Sequence, residues 1–384
     1  MKIYNPFRVF RQTAKVAFRY PVNSIKHRFH VIADYVKLFF TKGLMGDEYI
    51  EYLFDERSSA FRKSFLGLNE ERYYLDYLNP EKYYILARNK YLAHKILDGV
   101  GVRQADIYCY YQPEGRFADS EHTAGTLEEV LRMLLAKSVQ ACVIKATEGS
   151  HGDDVWVVDH IEYQENDAQL NLYNGESQKL SEVLKDKPLL IESLVKQTAQ
   201  MAALNASSVN TVRFMTALYP DGEARLVATF IKIGRAGSCV DNAGNGGNVD
   251  ACIDMETGEL QYAIRYDGVH NHPEIQVHPD TQCPINGMVI ENWEAIKEQV
   301  LQYQRAFPYI KAAGWDIAIT DEGPVVIEVN DMWDRLGQLF IRRGWRYDIR
   351  RCYNAWKRTG KKYPFGRLTN KLGPLHLKKI VENQ

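Results

Sequence analysis

Gly314-Trp315-Asp316-Ile317-Ala318-Ile319-Thr320-Asp321-Glu322-Gly323-Pro324-Val325-Val326-Ile327-Glu328-Val329-Asn330 reads as two short strands joined by a tight turn, because apolar runs flank the Asp-Glu-Gly-Pro punctuation. Asp316 stands alone among Trp315, Ile317 and Ile319, while Glu328 and Asn330 sit two apart and so share one face of the second strand. Three oxygen donors can therefore converge. Mg²⁺ takes hard oxygen ligands and leaves the rest of its octahedron to water and phosphate, which two carboxylates and an amide oxygen allow. The competing reading is a surface hairpin with solvated acids; against it stands the cost of leaving carboxylates uncompensated on apolar strands.

Around this hairpin lies a chain of 384 residues, more than one core usually supports, so two or three subdomains are expected. The six cysteines are scattered without a Cys-x-x-Cys pair, which suits a reducing, cytoplasmic setting. Neither a secretory h-region nor an uncharged apolar window long enough to span a bilayer is expected from the pattern. The formal net charge of −1 hides an asymmetry. Residues 1–46 carry nine Lys/Arg against Asp34 alone, and residues 341–384 carry thirteen against Asp348 and Glu382. The totals of 48 basic and 49 acidic residues then leave 26 and 46 between, so the middle carries about −20.

Upstream, residues 1–80 mix aromatic and basic side chains, and the spacings Phe7, Phe10, Ala14 and Val31, Tyr35, Leu38, Phe39 predict helices broken at Pro21. Two outcomes are open: a basic amphipathic surface on an anionic membrane, or a helical layer packed on the acidic body. Asn89 caps a predicted helix that ends near Gly99 and Gly101, with Lys90 in its first turn. A lysine there is disfavoured by the helix dipole, so it either meets a phosphate or is ordinary surface charge.

Ala141 to Lys145 is an apolar strand ending in a lysine, followed by a loop with Gly149, Ser150, His151 and Gly152 and a second strand from Val155. Such glycines let backbone N–H groups approach phosphate oxygens, and Lys145 can neutralise them, although a plain hairpin has the same composition. No Walker A pattern occurs. Pro188 to Val195 is a strand carrying Glu192, and Ser207 to Leu218 runs into a strand interrupted by Arg213, whose partner is either a structural carboxylate or an anionic ligand. Strands are predicted over 225–233 and 248–253. The polar loop between them holds Arg235, Asp241, Asn242, Gly246 and Gly247 and can wall a site. Trp293 to Phe307 reads as a helix, and the chain after Trp333 as basic and helical.

Taken together, the helix-start Lys90, strand-end Lys145 with its glycine hairpin, Glu192, Asn210-Thr211-Val212-Arg213, Asp241-Asn242 with Gly246-Gly247, and Asp316 with Glu328-Val329-Asn330 resemble the ATP-grasp superfamily, most of all its sugar-transfer-associated branch. The resemblance covers about residues 80–340. It implies an α+β fold in which two α+β subdomains grip ATP, with grasp portions over 81–200 and 201–340; the residue pattern itself adds a helical N-terminal segment over 1–80 and a basic helical tail over 341–384. Lys90, Lys145, Ser150 and His151 would lie near the phosphates, and Glu192, Leu194 and Val195 at the nucleotide edge, the last two through their backbone. Asp316, Glu328 and Asn330 would hold Mg²⁺, while Arg213, Lys232, Arg235 and Asn242 would be the catalytic residues. Lys232 stands where relatives are expected to carry arginine, and the N-terminal α/β domain common in relatives is not evident.

The chemistry usual in the superfamily is ATP-driven joining of a carboxylate to an amine through an acylphosphate, so a ligase acting on a sugar acid or a surface polysaccharide precursor is the first expectation. A kinase phosphorylating a sugar hydroxyl and a non-catalytic nucleotide-binding scaffold in polysaccharide assembly are the alternatives. The expected partners are carboxylate and amine substrates, either small molecules or glycans, and an anionic membrane surface met through the basic ends at the inner face of the membrane. Nucleic acid is not expected, since no recognised motif for it accompanies the charge.

Overall fold

The computed structural model describes residues 6–114, 122–149, 154–185, 187–238, 247–268 and 271–360. The chain opens with five helices, α1 (Pro6–Arg19), α2 (Ile25–Lys42), α3 (Gly46–Glu51), α4 (Ser59–Ser64) and α5 (Leu68–Leu78), then α6 (Ile85–Arg88) and α7 (Lys90–Gly99). An α+β unit follows: β1 (Ile107–Tyr111), β2 (Thr123–Ala124), α8 (Leu127–Ala136), β3 (Cys142–Ala146), β4 (Val155–Tyr163), β5 (Ala168–Leu172), β6 (Ser177–Lys179), α9 (Leu180–Val183) and β7 (Leu189–Glu192). The second unit holds α10 (Ala199–Leu204), β8 (Thr211–Leu218), β9 (Ala224–Ile233), β10 (Val249–Ile253), β11 (Leu260–Arg265), α11 (Trp293–Ala306), β12 (Ala312–Thr320) and β13 (Gly323–Asn330), with α12 (Gly337–Phe340) and α13 (Arg346–Arg358) closing it. Helix starts follow local chemistry: the side chains of Ser24, Asn89 and Thr126 each accept an N–H of the first turn.

Two sheets form. The seven-stranded one has the order β2-β1-β7-β3-β4-β5-β6 and packs its core on α8. The six-stranded one, β11-β10-β9-β8-β12-β13, is antiparallel throughout. The α+β reading holds. The strand expected over Pro188 to Val195 is shorter, because pairing with β1 and β3 stops at Glu192.

Alternation along the six-stranded sheet decides what its two faces do. Val212, Phe214, Ile231, Ile233, Ala313, Trp315 and Ile317 pack on the side of α11. Met215, Ala217, Ala228, Phe230 and Ala312 pack on the other side, against the N-terminal helices and α13. Arg213, Lys232 and Asp316 share the parity of this second set and so lie on the face that the helical layer partly covers.

Val16 of α1, Tyr20 just past its end, and Val31, Tyr35 and Phe39 of α2 are buried in that layer. It is bound to the chain's end by charge: Arg335 pairs with Glu71 (2.7 Å), and Arg346 with Glu70 (2.6 Å), both glutamates being buried. Burial pushes Glu71 up to about 7 even though Arg335 opposes the shift. Of the basic tail, residues up to 360 fold against the body, with Arg342 on Glu274 as well; residues 361–384 lie outside the described residues.

At Gly344 the closing segment crosses α4 with no room for a side chain. A Cβ there would collide with the Ser64 carbonyl and the Phe65 nitrogen, while the Gly344 N–H donates to Ser64 Oγ at 3.1 Å. Gly344→Ala should therefore cost at least about 2 kcal/mol in chemical denaturation, whereas Gly99→Ala, with open space around it, should cost nothing. Equal stability of the two variants would disprove the close contact.

Candidate active site

The hairpin β12–β13 places Asp316 opposite Glu328 on one side and opposite Arg213 of β8 on the other. Asp316 is buried and holds two cations: Arg213 Nε on Oδ1 at 2.7 Å and Nη2 on Oδ2 at 2.8 Å, and Lys232 Nζ on Oδ1 at 2.9 Å. Burial pushes its carboxyl up, but Arg213 and Lys232 more than reverse this and leave it at about 2. Gly314 leaves the guanidinium room, since a Cβ there would sit 3.3 Å from Arg213 Nη1, a tight contact. Arg213 thus has a carboxylate partner within the chain.

Next to this cluster is a cleft, open to solvent and walled by α7, β3, β7 and β13. Lys90, Lys145, Glu192 and Glu328 all line it. Lys145, nine-tenths buried at the end of β3, pairs with Glu192 at the end of β7. Lys90 Nζ donates to the Gly149 carbonyl at 3.2 Å, and its N–H to the Thr147 carbonyl at 2.8 Å, so the start of α7 is tied to the glycine loop. Burial lowers the Lys90 ammonium pKa; Glu328 raises it, Lys145 lowers it and Glu192 raises it. Four residues far apart in sequence therefore share one electrostatic environment. Glu328 is half-buried, and its carboxylate makes no hydrogen bond or ion pair among the described residues.

Other sequence candidates lie elsewhere. Arg235 is held bidentate by Asp280 (2.7 and 2.8 Å) and donates to the Gly247 carbonyl at 3.3 Å, pinning the start of the β9–β10 connection. Leu194 and Val195 follow β7 outside the cleft lining, with no hydrogen bond from their backbone groups among the described residues. Ser150, His151 and Asn242 lie outside the described residues.

Sequence reasoning missed residues that hold the hairpin. Buried Asn79, one residue past α5, donates to the Ala312 and Asp331 carbonyls (both 2.8 Å) and accepts from the Lys311 and Ala312 N–H groups. Arg88 pairs with Asp331, just beyond Asn330, at 2.8 Å. Buried Asp250 is the cross-strand partner of Lys232. Asn79 precedes a proline and looks like a helix stop; nothing local says that it reaches residue 312.

The donor set suits the Mg²⁺ that the resemblance implies, with a change of emphasis. Among the described residues no three His, Cys, Asp or Glu side chains gather into a cage. Asn330 Nδ2 donates weakly to Asp316 Oδ2 (3.4 Å) and the Gly314 carbonyl (3.5 Å), which leaves its Oδ1 and the Glu328 carboxylate as the uncommitted oxygens. Asp316 would bind a cation only by sharing oxygens already held by Arg213 and Lys232. Such an open, few-ligand set matches a hard cation that keeps waters and phosphate oxygens.

A biotin carboxylase from Campylobacter jejuni, in a β-γ-ATP complex, is similar at 10% identity over 78% of this chain and 54% of that one, with a TM-score of 0.43. An N5-carboxyaminoimidazole ribonucleotide synthetase from Thermotoga maritima is similar at 13% identity over 75% and 53%, with a TM-score of 0.40. A D-alanine–D-alanine ligase from Bacillus anthracis is similar at 15% identity over 71% and 68%, with a TM-score of 0.36. The chain spans about half the length of the first two. No curated protein matches it. The family model for sugar-transfer-associated ATP-grasp proteins matches residues 69–348, from α5 through the charged hairpin to α13, and the chain belongs to that family.

Proposed function

We propose that the chain is an ATP-dependent carboxylate–amine ligase that works through an acylphosphate on a sugar acid or a surface polysaccharide precursor. The observation that carries this reading is the joint exposure of Lys90, Lys145 and Glu328 to one cleft, next to a buried Arg213–Asp316–Lys232 cluster. Lys90 and Lys145 bind phosphate oxygens. Glu192, Leu194 and Val195 lie on the nucleotide side, and Arg213 and Lys232 hold positive charge where an acid substrate meets the γ-phosphate. A Mg²⁺ held by Glu328 and Asn330 would neutralise phosphate charge when bound. The acid's carboxylate oxygen attacks the γ-phosphorus and ADP departs. An amine nitrogen then attacks the acyl carbon, phosphate leaves, and the amine loses a proton. Arg235 is assigned to the wall on the acceptor side.

The deciding experiment measures ADP release against a panel of uronic acids crossed with amino acids, with product analysis. Amide, ADP and free phosphate are expected. A phosphoester with ADP and no free phosphate would make the chain a kinase, and no turnover with any pair would remove the ligase reading.

Lys90→Ala and Lys145→Ala should each weaken ATP binding by roughly 1–3 kcal/mol, the worth of a charge-assisted bond. Lys145→Ala should also lower the melting temperature of the free protein, since it strands Glu192, and Lys90→Ala should not. Unchanged nucleotide affinity in both, measured calorimetrically, would return these lysines to a structural role.

A further inference from the structure

The N-terminal helices present two apolar faces, and only one is used by the core. Inward, α1 turns Val16, with Tyr20 just past its end, and α2 turns Val31, Tyr35 and Phe39. Outward, α1 presents Phe10 (71% exposed), Ala14 and Phe18 (82%), and α2 presents Ile25 (77%), Phe29 (70%) and Ala33, each series at i, i+4, i+8. Residues four apart stand above one another on a helix, so each set is a continuous apolar stripe facing water.

The charges beside these stripes have one sign. Arg11, Arg19, Lys26 and Lys37 are exposed and enter no ion pair among the described residues. The sole acid of the two helices, Asp34, is turned inward onto Arg62 (2.6 Å) and Tyr49 (2.9 Å). Lys15 is matched by Asp47, from α3. An outward helix face with bulky apolar side chains and a purely basic rim is complementary to an anionic bilayer, whose headgroups take the cations while the rings enter the acyl boundary. Self-association through the same face would set these basic rims against each other. Among the described residues no helix is long and apolar enough to cross a membrane, so the fit is to its surface.

We infer that α1 and α2 form a docking face for an anionic lipid bilayer, which seats the enzyme peripherally through Phe10, Phe18, Ile25 and Phe29 with Arg11, Arg19, Lys26 and Lys37 around them. This inference is independent of the ligase reading.

The test is sedimentation of the full chain with vesicles of phosphatidylcholine alone and of phosphatidylcholine mixed with phosphatidylglycerol, at low and high salt. The protein should pellet with the mixed vesicles only, with partial release by salt. Phe10→Ala/Phe18→Ala/Phe29→Ala should lower partitioning at least about tenfold with an unchanged melting temperature, because the rings are exposed in the free protein. Arg11→Gln/Arg19→Gln/Lys26→Gln/Lys37→Gln should remove the preference for anionic vesicles, and it decides the matter should the phenylalanine variant melt early. Both variants keep residues 361–384, so wild-type pelleting by both would assign binding to that basic segment and overturn the inference. Failure of the wild type to pellet, or a wild-type dimer that the phenylalanine variant dissolves, would overturn it too.

Discussion

Glu328→Gln is expected to abolish turnover and leave the free protein folded. The carboxylate at 328 makes no hydrogen bond or ion pair among the described residues, so an amide of equal volume removes no structural contact. What it removes is charge, from a cleft that also holds two lysines and opposite a carboxylate already held by two other cations. If Glu328 is the main protein anion available to a phosphate-bound cation, kcat should fall by at least about a hundredfold, the scale seen when one preorganised electrostatic partner of a transition state is lost. Thermal stabilisation by ATP with Mg²⁺ should shrink in parallel, because a ligand stabilises only by binding the native state. Lys90 offers an independent readout: Glu328 raises its pKa, so the amide should let it drop further. Near-normal product formation by the variant would end the assignment of Glu328 to cation binding.

How far the sequence discloses this site depends on the range of the interactions. The β12–β13 hairpin is legible because period-two alternation and a Gly-Pro turn are local; the pairing of Asp316 with Glu328 is not, because it depends on a bulge next to Asp316 that shifts the register by one residue. The Asn89 cap is legible for the same reason, its side chain accepting the Leu92 N–H at 3.0 Å. That Arg213 would meet an anion, of the chain or of a ligand, is readable from its apolar surroundings; that the anion is Asp316 is not, since the two are 103 residues apart and only strand order joins them. Asn79 is invisible on similar grounds: its four bonds go to backbone some 230–250 residues downstream. On α1 the spacing of Phe7, Phe10 and Ala14 predicts a helix correctly. It does not say which side faces inward, because Val9 and Val16 make a second apolar stripe on the same helix and it is this one, with Tyr20 just past the helix end, that packs on the core.

Removing Asp316 should damage both stability and activity, and the two losses can be separated. With Asp316→Ala, Arg213 remains buried without the carboxylate that holds it and Lys232 loses one of its contacts, and breaking a buried ion pair from one side costs about 3–5 kcal/mol. Replacing the whole cluster, as in Arg213→Met/Lys232→Met/Asp316→Leu, should restore most of that stability, because apolar groups of similar volume leave no charge uncompensated. Activity should not return, since the positive charge assigned to the acid substrate is gone. Acid titration supplies a second signature. The carboxyl is held at about 2 in the folded chain against an ordinary 3.8, so its contribution of roughly 2 kcal/mol is complete above pH 4 and is lost as the pH falls towards 2. Urea unfolding of the wild type should therefore weaken across that window, and Asp316→Asn, already lacking the charge, should weaken less. Should Asp316→Ala and the triple variant be equally unstable, or should Asp316→Asn follow the wild-type acid limb, the cluster would not be the electrostatic keystone of the hairpin; recovery of stability without recovery of turnover would mark Arg213 and Lys232 as cations kept buried for the sake of a ligand.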